Sequence, residues 1–81
     1  MPKIQRNISG LKLAKLLEQF DYKITRQKRS HIRLTSRYKN EQHNITIPAH
    51  NPIKIGTLNN ILREIADYVG LSKEELTRKL F

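Results

Sequence analysis

The chain has no cysteine among its 81 residues. No disulfide can support it, and no thiolate is available to ligate a metal or attack a substrate. It also lacks any apolar run near the ~18 residues needed to span a bilayer. Met1-Pro2-Lys3-Ile4-Gln5-Arg6 has none of the apolar core of a secretory signal. A cytoplasmic protein with no membrane role is expected. Acidic residues are few, seven against sixteen Lys and Arg, and the shortage is local. Residues 1–54 hold 12 cations and 3 acids, a surplus of nine, whereas residues 55–81 hold 4 of each. A surplus confined to one part of the chain points to one basic surface for a polyanion, with nucleic acid the leading choice. No helix pairs a strongly basic face with an aromatic one, as a membrane-surface helix would. Repeats, low-complexity tracts and linkers are absent too. Residues 1–81 therefore read as a single domain, small enough to bury only about 60% of its extended surface.

The patterning that is present gives an order of elements. Ser9 can cap a helix starting near Gly10, and Leu13, Leu16, Leu17 and Phe20 make one helical stripe. After Asp21, three short alternating segments follow. Tyr22 and Ile24 lie in the first, Ile32 and Leu34 in the second, Ile45 and Ile47 in the third, which Pro48 closes. Short links between them predict an antiparallel meander. Its apolar face is expected to hold Tyr22, Ile24, Ile32, Leu34, Ile45 and Ile47. Its wet face would hold Lys23, Thr25, Gln27, His31, Arg33, Thr35, Arg37, Asn44 and Thr46. A loop over 49–55 leads to a helix with the stripe Leu58, Ile61, Leu62, Ile65, Ala66 and Val69, ended by Gly70. Ser72-Lys73-Glu74-Glu75 is a capping box that predicts a short third helix to about Lys79. The class is α+β, α-β-β-β-α with an extra C-terminal helix, its helices on one face of a three-stranded antiparallel sheet.

Ser30-His31 opens the second strand, with Arg26, Lys28, Arg29 and Arg33 within five residues of the histidine. Histidine, with an unperturbed pKa of about 6.5, exchanges protons near neutrality, and the cations suit a phosphodiester. RNA carries its own nucleophile, the 2′-OH. Its cleavage needs no metal if that hydroxyl is deprotonated, the leaving 5′-oxygen is protonated and the charge at phosphorus is stabilised. Acid–base help of this kind contributes about 10²–10⁴-fold. His31 fits the base or the acid. Strict alternation puts Gln27, His31 and Arg33 on the wet face, and Arg26 and Lys28 on the other unless the turn twists them out. Ser30 would order the hairpin through a hydroxyl–backbone bond. His50 is a candidate second acid or base, or else a loop residue bonded to backbone. His43 is expected to be exposed and without a role. Lys54, before Gly56-Thr57 at a helix start, could assist a phosphate, although an ordinary helix start looks the same. Three scattered histidines without a carboxylate pair make no metal site, and no cofactor is expected. On the residues alone, other readings stand beside catalysis: a polar histidine on a solvated strand, a non-catalytic RNA-binding module, or a basic surface for an acidic protein.

Four elements in this order resemble one known family. They are Ser9-Gly10 before the leucine-striped helix, Arg26-Gln27-Lys28 running into Ser30-His31, Ile45-Thr46-Ile47-Pro48-Ala49-His50, and Lys54-Ile55-Gly56-Thr57-Leu58 leading into a helix. Together they are similar to the HicA (YcfA-like) toxins of prokaryotic type II toxin–antitoxin modules, over about residues 9–62. The resemblance implies a double-stranded-RNA-binding-domain-like fold. It implies an mRNA interferase, an endoribonuclease that blocks translation, with a HicB-type antitoxin covering its active site. The toxin alone would be a monomer. The motif histidine of that family falls on His31, and Lys28, Arg29, Arg26, Arg33, Ser30 and Lys54 become candidates for RNA phosphate. One departure stands out. The family usually has glycine before the Ser-His pair, where this chain has Arg29, and glycine suits a tight turn needing φ > 0.

Overall fold

The computed structural model describes residues 7–81. Met1 to Arg6, on which the reading of an absent leader rests, lie outside the described residues. Helix α1 spans Gly10–Leu16 and tightens into a 3₁₀ turn, Leu17–Phe20. Strands β1 (Lys23–Lys28), β2 (His31–Ser36) and β3 (His43–Pro48) form one antiparallel sheet in the order β1-β2-β3. Helices α2 (Ile55–Val69) and α3 (Lys73–Leu80) complete the chain. The expected α+β order is the observed one, with a sheet backed by helices as in a double-stranded-RNA-binding domain.

Local chemistry accounts for the boundaries. The Ser9 hydroxyl accepts the Lys12 N–H at 3.1 Å, satisfying one of the free N–H groups at the start of α1. Gly10 lies against the end of β3, and a Cβ there would overlap the Pro48 carbonyl oxygen. Close approach, not dihedral freedom, therefore requires this glycine. Gly70, at φ 81°, takes the left-handed conformation that ends α2. The capping box of α3 is formed. Ser72 accepts the Glu75 N–H at 3.0 Å, and the Glu75 carboxylate accepts the Ser72 N–H at 3.1 Å. Those bonds to Ser72 hold the Glu75 carboxyl below the usual carboxylate range.

The core fills the space between the sheet and its helices. Ile32 lies opposite Ile47 and Leu34 opposite Ile45, and all four are buried. Leu13, Leu17 and Phe20 from the first helical stretch close over them, as do all six stripe residues of α2 and then Leu76 and Leu80 of α3. Ser36 is also buried, and its hydroxyl donates to the Phe20 carbonyl at 2.6 Å. Buried polar groups are tolerated when paired in this way.

Two expectations about β1 are corrected. Ile24 was placed on the apolar face, but it is 48% exposed. It does oppose the buried Leu34. However, it lies on the edge strand β1, in an open depression lined also by Leu11, Ala14 and Lys15 of α1, so the helix covers it only in part. The second correction concerns parity. Lys23 pairs with Thr35 and Ile24 with Leu34, and then Arg26 pairs with Arg33. Thr25 has no partner in the register, which makes a β-bulge, and one extra residue inverts the alternation beyond it.

Candidate active site

Directly opposed residues of antiparallel strands share a face, so the register lays out the wet side of the sheet in rows. Nearest the hairpin is Lys28, His31 and Pro48. The next row is Arg26, Arg33 and Thr46, and beyond it Lys23, Thr35 and Asn44. The bulge is what puts Arg26 and Lys28 on this face. Strict alternation had turned them away and had placed Gln27 here; instead Gln27 opposes the buried Ile32 on the helix side. The three cations of the first two rows therefore stand beside His31 on one side of the sheet.

The hairpin itself is a two-residue loop, Arg29-Ser30. Arg29 adopts φ 52°, the left-handed region that costs a side-chain-bearing residue about 1–2 kcal/mol. The turn thus has the geometry glycine would favour, with arginine in it. Ser30 is exposed, and its carbonyl accepts the Ala49 N–H at 2.7 Å, tying the turn to the end of β3. Its role in this hairpin is through backbone, where a hydroxyl bond had been expected.

Arg26, Lys28, Arg29, Ser30, His31, Arg33 and Thr46 line one open basin of about 720 Å³. Ion pairs among the described residues join Lys23 to Asp21, His43 to Glu64 and Arg78 to Glu74. None of them engages His31 or the four cations around it. The basin therefore presents uncompensated positive charge and an exposed imidazole to solvent. Charge of this kind attracts a polyanion and would stabilise negative charge developing on a phosphate.

The remaining candidates fall elsewhere. His50 is exposed, and its carbonyl accepts the Gly10 N–H at 3.0 Å. It follows the segment paired with Ser30 but does not line the basin. Lys54 is the N-cap residue of α2, exposed and also outside the basin. His43 overturns its expectation of an idle, exposed residue. Its Nδ1 is 2.7 Å from the Tyr22 hydroxyl and its Nε2 is 3.1 Å from a Glu64 carboxylate oxygen. Its ring stacks on Tyr68, with centroids 4.7 Å apart and planes 17° apart. Burial pushes the Tyr22 hydroxyl pKa well above the ordinary tyrosine value, with Tyr68 and Glu64 adding to the effect. This cluster joins the start of β3 to α2 on the far side from the basin's residues. Its members are scattered in sequence, so only the folded chain assembles it. Thr46 was assigned to the wet face by alternation, but its place beside Arg33 needed the strand register.

A family model described as "HicA toxin of bacterial toxin-antitoxin" matches residues 10–66. No curated relative and no solved structure shows a significant match to the chain. The matched span runs from the first residue of α1 through the buried Ala66 of α2, and so contains the whole sheet and its basin.

Proposed function

Because the chain belongs to the HicA toxin family of bacterial toxin–antitoxin systems, we propose that it is a metal-independent endoribonuclease that cleaves mRNA and so stops translation. What supports this reading is the placement of His31 among four cations without carboxylate partners among the described residues, in one basin on the sheet's open face. The 2′-OH of the substrate loses its proton as its oxygen bonds to phosphorus. The bond from phosphorus to the 5′-oxygen breaks, and that oxygen takes up a proton. The products are a 2′,3′-cyclic phosphate and a free 5′-hydroxyl. His31 serves as the acid or the base in this exchange. Arg26, Lys28, Arg29 and Arg33 hold the phosphate and offset its added charge. Ser30 positions the turn through its carbonyl. His50 is the candidate for the second proton-transfer group, and Lys54 for a more distant phosphate contact.

The same reading gives the protein its surroundings. It acts in the cytoplasm as a one-domain monomer, and an acidic HicB-type antitoxin covers the basin. No helix among the described residues is long and apolar enough to cross a membrane. The test is incubation of purified protein with mRNA in EDTA, followed by analysis of the fragment ends. Cleavage leaving cyclic phosphate is expected from the wild type, with a loss of at least about 10²-fold in His31→Ala, the scale of one acid–base group. RNA binding that persists in the variant while cleavage disappears assigns proton transfer to His31. Equal cleavage by both proteins overturns the assignment. Binding without cleavage by the wild type replaces the reading with a non-catalytic RNA-binding module.

A further inference from the structure

The basin around His31 occupies only the hairpin end of the wet face. A second depression, of about 550 Å³, lies at the other end. Arg26 and Arg33 line both, so the two are continuous. Rows two residues apart along β2 are about 7 Å apart, a repeat that suits one nucleotide of an extended strand per row.

The far depression is built differently from the first. A chain of polar side chains crosses all three strands there. The Thr25 and Thr35 hydroxyls are 3.3 Å apart, and the Thr35 hydroxyl donates to Asn44 Oδ1 at 2.8 Å. Gln42 Nε2 donates to the same Oδ1 at 3.3 Å, and an Arg37 guanidinium N–H donates to Gln42 Oε1 at 3.3 Å. Internal bonds thus occupy the amide oxygens of Asn44 and Gln42, while the Asn44 amide N–H groups remain to face outward. Arg26, Arg33 and Arg37 add further donors. This array meets acceptors: phosphate oxygens and the carbonyl and ring-nitrogen edges of unpaired bases. No aromatic side chain lines it, so base stacking, the usual source of sequence-blind single-strand affinity, is not available there.

We propose that this depression is a second subsite, which binds the unpaired nucleotide next to the cleaved linkage. Single-stranded RNA then crosses the sheet along β2, with its backbone over Arg26 and Arg33, one end at His31 and a base edge against Asn44. The inference rests on the endoribonuclease reading and gives that reading a substrate geometry: an extended single strand, longer than the linkage being cut. A duplex is too broad for a track of one nucleotide per row.

The test uses 2′-O-methyl oligoribonucleotides of two and eight residues, which lack the internal nucleophile and survive the measurement; the shorter spans only the cleaved linkage. Affinities are read by fluorescence anisotropy for the full-length wild type, Arg37→Ala and Asn44→Ala. Both substitutions lie on the solvated face, and circular dichroism checks that each variant is folded. The wild type is expected to prefer the longer probe by tenfold or more. Either variant should cut that ratio several-fold, and Arg37→Ala should also reduce the salt slope for the longer probe by about 0.7, the value of one single-strand phosphate contact. A ratio unchanged in both variants overturns the subsite, even where cleavage by the wild type upholds the endoribonuclease reading. A change in antitoxin affinity alone, with the RNA ratio intact, overturns it as well and reassigns the depression to the protein partner. Absence of RNA binding by the wild type removes both readings together.

Discussion

Arg29 combines a backbone cost with a chemical use. Its φ of 52° belongs to a conformation that a Cβ disfavours by about 1–2 kcal/mol. Replacing it with glycine removes that cost but adds conformational freedom to the unfolded chain, an opposing effect of about 0.4–1 kcal/mol. Arg29→Gly is therefore expected to leave stability unchanged or raise it by up to about 1.6 kcal/mol. Urea unfolding measures this, and a clear loss of stability would show that the arginine is not strained. The guanidinium meanwhile lines the basin beside His31, so the same variant should bind RNA more weakly and with a shallower salt dependence. Opposite movements in stability and affinity would mark Arg29 as a residue kept for its charge in a turn made for glycine. The sequence made this position visible because a glycine was missing from a recognisable pattern. His43 had no such signal. Its partners Tyr22, Glu64 and Tyr68 lie up to 25 positions away, and nothing local distinguishes it from a solvated strand-end histidine. Gly10 was legible as part of a motif but not in its cause, which is the distant Pro48 carbonyl.

Elements whose signal is local were readable almost to the residue. The stripe of α2, its Gly70 terminus and the capping box of α3 each rest on side chains within a turn or two of one another. Strand β1 is the exception, because a bulge belongs to the pairing of two strands and not to either alone. Thr25 carries no mark of being the unpaired residue, and every residue of β1 is exposed, so no buried position fixes its parity from burial alone. The consequence is functional, since the bulge decides which cations accompany His31. Arg26→Gln is expected to weaken RNA binding and lower its salt slope by about 0.7, as loss of one phosphate contact requires. Gln27→Ala, on the helix side of the strand, should change neither. Strict alternation predicts the reverse, so anisotropy titrations of the two variants across a salt series distinguish the two parities directly.

At the scale of the whole molecule, the helices back one side of the sheet, and Lys23, Arg26, Lys28, Arg29, Arg33 and Arg37 line the two depressions on the other. Residues 55–81, which supply α2 and α3, are balanced, while residues 1–54, which supply α1 as well as the sheet, carry the surplus. The fold therefore separates a neutral structural half from a basic working face that offers few carboxylates of its own, Asp21 being the one that lines either depression. A partner covering this face must provide the missing negative charge, and its approach is then steered over a distance set by screening. Association with an acidic antitoxin is expected to slow by about tenfold or more when salt rises from about 50 to 500 mM, with dissociation changing far less. Stopped-flow mixing measures both rates. Preloading the toxin with a single-stranded RNA long enough to cover both depressions should slow association further, because the two ligands need the same cations. An association rate that ignores salt and RNA alike would place the antitoxin on the helical side, leaving the basic face open in the complex and inhibition without a direct cause.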